Sequence, residues 1–130
     1  GLKIKFKNNI LVGVDTSASV NNDELKEFMN ELVHMHKTGH CITVAQCDTQ
    51  LTSVEEFNPK KDWDIKGRGG TDFQPVIDHF NENKSKYTAL IYLTDGEAHS
   101  PRDCPKNTLW VLSSRSDMND ELPGKVIKLN

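Results

Sequence analysis

The sequence predicts one α/β domain whose central sheet is mostly parallel and carries an antiparallel hairpin at one edge. Three observations support this prediction. Apolar runs typical of buried strands recur along the chain, two amphipathic helical stripes separate them, and one pair of strands has a connection too short for a crossover. A chain of 130 residues is long enough for one compact domain and too short for two ordinary ones.

The first strand of the domain is predicted over residues 10–14 (ILVGV), which are apolar on both faces. Residues 2–7 alternate apolar and basic side chains, and two asparagines end that pattern. We therefore interpret residues 1–9 as a lead-in strand or linker and residues 10–130 as the domain. Because the chain begins with Gly1 rather than Met, we expect the natural protein to be longer.

The first helix is predicted from a capping signal followed by an apolar stripe. Asn21 and Glu24 have the spacing of a capping box. Apolar side chains then recur every three or four residues, and Gly39 is the expected end of the helix. Residues 41–47 form the next predicted strand. The tight turn that follows leads to a strand near residues 52–57, which gives the antiparallel edge hairpin.

The second half of the chain supplies one more helix and three strands. Residues 58–70 are predicted to be mostly loop, and the second helix is predicted to begin at Thr71 or Asp72, with Pro75 in its first turn. Residues 88–93, 108–112 and 126–129 are predicted strands. Residues 97–107 hold two prolines and show no helical period, so no helix is expected there.

Charge and cysteine usage exclude several classes of protein. The net charge of -3 disfavours nucleic-acid binding, which usually requires a basic face. No apolar window reaches the roughly 18 residues of a membrane span, and no signal peptide is visible. The three cysteines form no C-x-x-C pair, so we expect no disulfide framework and a reducing, cytoplasmic location.

Polar side chains stand at three corresponding places, where a strand ends or a helix begins. Asp15, Ser17 and Ser19 follow the first buried strand, Thr71 follows a glycine-rich loop, and Asp95 follows the strand over residues 88–93. In open α/β sheets ligands bind outside the carboxyl ends of the strands, so these side chains should converge. Carboxylate and hydroxyl oxygens with retained waters suit Mg²⁺ or Mn²⁺ better than Ca²⁺.

The stretches "VGVDTSASV", "GRGGTDF" and "IYLTDGEA" resemble the metal-ion-dependent adhesion site (MIDAS) of von Willebrand factor A (VWA) domains. The resemblance covers residues 10–129. It extends to bacterial and phage proteins that carry a VWA-like domain at the C-terminus, behind a metallopeptidase-type domain. It implies a Rossmann-like VWA fold with helices on both faces of the sheet. The short segment after Asp95 departs from most VWA domains, which place a helix there.

The resemblance also implies a function and a ligand set. Ser17, Ser19 and Thr71 would supply hydroxyl ligands, and Asp15 and Asp95 would bind the ion directly or through water. The last coordination position would go to water or to an Asp or Glu of a protein partner. The expected function is therefore a non-enzymatic interaction module of a larger intracellular protein. Its partner would be an AAA+ ATPase or its own N-terminal domain, with no nucleic acid and no membrane involved.

Four further residues are candidates to support the ligands by hydrogen bonds or close backbone approach: Asp48, Asp72, Gly70 and Gly96. Each part of the site also has an ordinary explanation. The D-x-S-x-S stretch could be a polar turn before a helix. Thr71 could be a helix cap, and the Asp95–Gly96 pair could form a plain turn.

Other polar and aromatic residues carry weaker signals. His34, His36 and His40 lie near one helix end without a carboxylate or cysteine to complete a zinc site. Trp63 is a candidate for contact with a partner. Arg68 could meet a partner carboxylate, but we interpret it as solvated.

The alternative function is a metal-dependent hydrolase, an RNase H-like nuclease or a phosphatase that uses Asp15 and Asp95. RNase H-like folds continue into antiparallel strands, whereas here a helix follows. Phosphoryl transfer through an aspartate requires a second Asp at the position where this sequence has Ser17. No Walker A or G-x-S-x-G motif and no nucleophile–base pair is present, so the interaction module is the preferred prediction.

Overall fold

The computed structural model describes residues 9–62, 64–119 and 121–130, which form one six-stranded sheet with a helix on each face. Residues 1–8, most of the predicted lead-in, and Trp63 lie outside the described residues. The elements in chain order are β1 (Asn9–Asp15), α1 (Asn22–Lys37), β2 (Cys41–Cys47), β3 (Leu51–Glu56), α2 (Gln74–Glu82), β4 (Ala89–Thr94), β5 (Thr108–Leu112) and β6 (Lys125–Lys128).

The spatial order of the strands is β3-β2-β1-β4-β5-β6. All neighbours run parallel except β2 and β3, which form the antiparallel edge hairpin. The mostly parallel sheet and its edge hairpin are thus confirmed. The chain leaves β1 towards β2 and returns to β4 on the other side of β1. The strand order therefore reverses between β1 and β4, and the crevice at their carboxyl ends is the usual ligand site of such sheets.

Alternate residues of the strands face different helices. Ile10, Val12 and Val14 of β1 pack with Phe28 and the rest of the buried stripe of α1. Leu11 faces the opposite side, which α2 covers with its own apolar stripe. Alternate side chains of β1 thus pack into two different cores, one on each face of the sheet. This explains why the run is apolar throughout. The prediction of helices on both faces is confirmed.

The α2 face holds the largest aromatic cluster of the core. Phe73 lies edge-on to Tyr92 and tilted against Trp110, with ring centroids 5.0 and 4.9 Å apart. Gly13 lies below this layer on β1. A Cβ at Gly13 would come within 3.0 Å of the Tyr92 ring and 3.1 Å of Val76. The glycine is required there because α2 and β4 approach β1 closely.

The second helix begins later than the sequence predicts. It starts at Gln74 rather than at Thr71 or Asp72, although Pro75 does fall in its first turn. The backbone N–H of Asp72 donates to the carbonyl of Asp48 at 2.9 Å, which ties this stretch to the end of β2. A tertiary hydrogen bond therefore delays the helix. The Asp72 carboxylate accepts from the Gln74 N–H at 2.9 Å and supports the helix start.

The other bounds lie close to the predicted ones. The second hairpin strand and the last strand each begin one residue early, at Leu51 and Lys125. No helix occurs among residues 97–107, as expected. Cys41, Cys47 and Cys104 are free thiols, and burial raises the pKa of Cys47 to about 12. Neither described helix is long and apolar enough to cross a membrane.

The predicted capping box at the start of α1 is confirmed. The Asn21 side chain accepts from the Glu24 N–H at 2.8 Å, and the Asn21 N–H donates to the Glu24 carboxylate at 3.1 Å. That carboxylate is buried and also accepts from the Ser113 hydroxyl just after β5. The first turn of α1 is thus tied to the carboxyl end of β5.

Replacing the cap residue should weaken the fold moderately. We expect Asn21→Ala to lower the free energy of unfolding by about 1 kcal/mol, because the Glu24 N–H loses its acceptor. Urea denaturation followed by circular dichroism measures this. Asn30→Ala is the matched control, since Asn30 is exposed in the middle of the same helix. Equal losses in the two variants would contradict a capping role.

Candidate metal centre

Asp15 lies at the carboxyl end of β1, in the crevice where the strand order reverses, and its side chain is fully buried. One carboxylate oxygen accepts from the Ser17 N–H at 2.9 Å, and the other accepts from the Thr94 hydroxyl at 2.6 Å. The Thr94 hydroxyl in turn accepts from the Gly96 N–H at 3.0 Å. Asp15 therefore links the loop after β1 to the loop after β4.

The two serines of the D-x-S-x-S stretch lie next to each other. The Ser17 and Ser19 hydroxyl oxygens are 3.1 Å apart, and Ser17 is buried whereas Ser19 is exposed. Residues two apart in this tight loop thus present their hydroxyls on one side. Each hydroxyl keeps lone pairs that a cation can use.

The glycine-rich loop packs against the same stretch through its backbone. The Arg68 N–H donates to the Thr16 carbonyl at 2.8 Å, and the Ala18 N–H donates to the Gly69 carbonyl at 2.9 Å. The Arg68 guanidinium donates to the Val20 carbonyl at 2.7 Å. Arg68 is exposed, which agrees with its interpretation as solvated, but its guanidinium also braces the loop after β1.

Asp48, at the end of β2, holds the glycine-rich loop from the other side. Its carboxylate accepts from the Gln50 N–H and from the Gly69 N–H, both at 3.0 Å, and these bonds lower its pKa. A Cβ at Gly69 would come within 2.9 Å of this carboxylate. At Gly67, where φ is +116°, a Cβ would come within 2.7 Å of the Thr16 hydroxyl. The glycines are thus required for close packing of three loops.

Asp95 follows β4, and only one of its two carboxylate oxygens accepts a hydrogen bond from the described residues. Its Oδ1 accepts from the Glu97 N–H at 3.0 Å, whereas its Oδ2 is buried and has no partner among the described residues. Two other buried oxygens also lack a hydrogen-bond partner among the described residues. They are the Thr16 hydroxyl on the loop after β1 and the hydroxyl of Tyr92 in the aromatic cluster. A buried carboxylate oxygen without a partner is costly unless a ligand satisfies it.

Burial is the largest influence on the pKa of the Asp15 carboxyl. It raises the pKa of this carboxyl, while the hydrogen bonds from Ser17 and Thr94 act to lower it, and the negative charge of Asp95 raises it further. The two carboxylates are thus close enough to repel each other. A divalent cation beside them would offset both the repulsion and the burial. The oxygen-only donor set and the free Asp95 oxygen fit such an ion.

The structure brings most of the predicted residues to one edge. Asp15, Ser17 and Ser19 share one loop, and Thr94 joins Asp15 to the strand end that carries Asp95. The Thr71 hydroxyl has no hydrogen-bond partner in the described part of the chain, and its role as a ligand stays a prediction. No three His, Cys, Asp or Glu residues of that part form a metal cluster, and the predicted set contains only two such residues.

The candidate supporting residues also lie around this edge. Gly96 has φ +77° and donates to Thr94, as described above, and a Cβ at Gly70 would meet the Thr49 methyl at 3.0 Å. The histidines near the end of α1 lie at the other end of the sheet, because β2 begins directly after them. His36 packs edge-on against Phe57 with ring centroids 5.7 Å apart.

Sequence reasoning missed the role of Thr94. This threonine is the last residue of β4, fully buried, and its hydroxyl connects Asp15 with Gly96. A signal was available, since a threonine at the end of an apolar strand and directly before the predicted ligand Asp95 must place its hydroxyl near that edge.

The comparisons with known proteins agree with this architecture. A family model described as "VWA-like domain (DUF2201)" matches residues 10–130. An uncharacterized protein of Thermotoga maritima is 32% identical over 116 residues, which are 87% of this chain and 29% of that protein. The ArnB paralog VWA2 from Sulfolobus acidocaldarius has a similar structure, with a TM-score of 0.55 at 16% identity over 84% of this chain and 35% of that chain. The chain thus spans about a third or less of the length of these relatives.

Replacing Asp15 by Asn should remove a pH-dependent loss of stability from the metal-free protein. The raised pKa means that the folded state keeps the Asp15 proton to higher pH than the unfolded chain does. The stability from this group is complete below its ordinary value of 3.8 and is lost as pH rises through the raised pKa. Asp15→Asn removes that loss, so its free energy of unfolding relative to that of wild type should rise from about pH 4 upwards.

Urea unfolding in chelator at a series of pH values measures this difference. Asp78→Asn is the matched control, because Asp78 is exposed on α2. A constant difference between Asp15→Asn and wild type across the pH range would contradict the prediction.

Proposed function

The chain belongs to the family of VWA-like domains, and on that premise we propose that it is a divalent-metal-dependent interaction module of the MIDAS type. The ion would lie at the carboxyl ends of β1 and β4 and bind an Asp or Glu of a protein partner. The observation that supports the proposal is the buried Oδ2 of Asp95, which has no partner among the residues that the structure describes. Thr94, the residue before Asp95, donates to Asp15. A buried carboxylate oxygen without a protein partner is available to a cation.

The proposed ligands are the hydroxyls of Ser17, Ser19 and Thr71, with Asp15 and Asp95 acting directly or through water. Mg²⁺ or Mn²⁺ suits this set, because both accept oxygen ligands in octahedral geometry and retain waters. Both Asp15 oxygens already accept hydrogen bonds from the protein. Because Asp15 also interacts with these donors, it would neutralise the charge of the ion only in part. The ion would therefore still attract the carboxylate of a partner protein. A bound ion supplies positive charge that a partner's acidic side chain can reach.

The proposed partner is a protein of the same cell, either an AAA+ ATPase or another domain of a longer natural chain. Support comes from the chain spanning 29% of its Thermotoga maritima relative, which leaves room for further domains in that protein. The resemblance to proteins with a metallopeptidase-type N-terminal domain points the same way. A larger intracellular protein of this kind would use the domain described here to hold a partner through the ion.

Direct titration with metal ions tests the site. We expect isothermal titration calorimetry to detect Mg²⁺ and Mn²⁺ binding to the wild type and weaker Ca²⁺ binding. Asp95→Ala should weaken binding at least tenfold, equivalent to about 1.4 kcal/mol, since it removes a ligand that no other residue replaces. Thr71→Ala should also weaken it, which tests the ligand that makes no hydrogen bond in the described structure.

Two surface variants are matched controls for these substitutions. Asp78→Ala removes an exposed carboxylate from α2, and Thr49→Ala removes an exposed hydroxyl beside Gly70. Both should bind the ions as wild type does. Wild type and Asp95→Ala behaving alike at millimolar Mg²⁺ and Mn²⁺ would rule out the proposed site. Thermal unfolding in chelator verifies that each variant is folded.

A metal-dependent hydrolase remains the alternative, because two neighbouring carboxylates at one strand edge are also the signature of metal-assisted phosphodiester chemistry. We expect no turnover, since no nucleophile–base pair accompanies the carboxylates in the sequence. A nuclease and phosphatase screen with Mn²⁺ decides between the two functions. Turnover that Asp95→Ala abolishes and Asp78→Ala preserves would establish the hydrolase instead.

A further inference from the structure

Gln46, near the end of β2, holds the segment that leads into the glycine-rich loop. This segment, residues 64–66, is called the stem of the loop below. The side-chain amide of Gln46 donates to the Asp64 carbonyl at 2.9 Å and accepts from the Lys66 N–H at 2.8 Å. Gln46 is only 5% exposed. One buried primary amide thus satisfies the two backbone groups on either side of Ile65, as a neighbouring strand would do.

Two further contacts fix the stem. Ile65, which lies between the two hydrogen bonds, packs against the apolar core on the α1 face of the sheet. The Thr52 hydroxyl donates to the Gln46 carbonyl at 3.1 Å and lies 3.4 Å from the Lys66 carbonyl. The three residues before Gly67 therefore have a defined position, although they belong to neither a helix nor a strand.

The loop that follows the stem has an unfavourable backbone conformation. The φ angle is +116° at Gly67 and +84° at Arg68, and a residue with a side chain rarely adopts a positive φ. Such a conformation persists only where the surrounding contacts enforce it. Arg68 has these contacts in its bonds to Thr16 and Val20. They form only if the stem brings Arg68 beside the loop after β1, and Gln46 holds the stem there.

The other end of the loop is attached to the same strand end. The Asp72 N–H donates to the carbonyl of Asp48, which comes two residues after Gln46. Residues 67–71 are thus attached to the end of β2 on both sides, and the position of Thr71 depends on both attachments. Loss of the upstream attachment would leave Thr71 fixed from one side only.

We propose that Gln46 is a positioning residue of the metal site, which holds the glycine-rich loop so that the Thr71 hydroxyl meets the ion. The inference rests on the proposed function and deepens it. Gln46 would not touch the ion, because both polar atoms of its side chain are bonded to the stem. Its effect on metal affinity would pass through Thr71. A ligand that is already held in place loses less freedom when the ion binds.

The substitution Gln46→Met tests this role, because it keeps the length of a buried side chain and removes both hydrogen bonds to the stem. We expect calorimetry to show Mn²⁺ binding about tenfold weaker than in wild type. Gln50→Met is the matched control, since Gln50 is exposed in the turn after β2, and it should bind Mn²⁺ as wild type does. Thr52→Val removes a hydroxyl beside the stem and should weaken binding in the same direction, but less.

A double-mutant cycle tests whether the effect passes through Thr71. In a Thr71→Ala background, Gln46→Met should weaken Mn²⁺ binding by less than about twofold, because the ligand that Gln46 positions is already gone. A residue that merely stabilised the fold would weaken binding by the same factor in both backgrounds. Thr52→Val completes the same cycle if Gln46→Met does not fold.

Amide hydrogen exchange in chelator gives a readout that needs no metal. The N–H groups of Arg68 and Ala18 bond between the glycine-rich loop and the loop after β1, and neither bonds to Gln46. Both should exchange at least about fivefold faster in Gln46→Met than in wild type. The N–H groups of Gly96 and Ser113, which bond to Thr94, should keep their wild-type rates. Faster exchange of all four would indicate general destabilisation and overturn the inference.

The outcomes separate the inference from the proposed function. Wild-type protein that binds neither Mg²⁺ nor Mn²⁺ overturns the proposed function and the link to the ion, while the exchange rates still decide whether Gln46 holds the loop. Equal Mn²⁺ affinity of Gln46→Met and wild type overturns the inference and leaves the proposed function intact. An equal loss with and without Thr71, or a Thr71→Ala variant that binds like wild type, also overturns the inference.

Discussion

The structure around the carboxyl end of the sheet depends on the burial of one carboxylate, that of Asp15. A fully buried carboxylate must be paired with donors, and here the donors come from the loop after β1 and from the last residue of β4. Ser17 supplies a backbone N–H from the loop after β1, and Thr94 supplies a hydroxyl from β4. Both loops are therefore held at fixed positions by the same side chain, and Asp95 and the two serines follow from that placement.

Backbone hydrogen bonds make most of the remaining connections between these loops. The Thr16 N–H donates to the Cys47 carbonyl at 3.0 Å, and the glycine-rich loop joins the loop after β1 through Arg68 and Gly69. Within the described ranges, the Oδ2 of Asp95 has no hydrogen-bond partner. A binding site requires this separation, because a group that already stabilises the fold cannot bind a ligand without losing its structural contact.

The sequence predicted the parallel sheet, the edge hairpin and the first capping box because each depends on local pattern. The apolar run of β1 and the spacing of Asn21 and Glu24 need no knowledge of distant residues. The start of α2 was misplaced because the hydrogen bond between Asp72 and Asp48 joins residues far apart in the sequence. The bracing role of Arg68 was missed for the same reason, since its acceptor lies 48 residues away. The motif indicated the edge of the candidate site, and the threonine before Asp95 carried a signal, but its hydrogen bond with Asp15 was visible only in the fold.

The hydrogen bond between Glu24 and Ser113 has a mechanical consequence. A partner held at the ion would pull on the short loop that carries Ser17 and Ser19, which continues directly into α1. Glu24 fastens the first turn of α1 to the residue after β5, so tension on that loop passes into a second strand of the sheet. Glu27 adds a parallel attachment by accepting from the Ser114 N–H at 2.9 Å. The load of a partner attached in this way would thus be shared across β1, α1 and β5 instead of resting on one exposed loop.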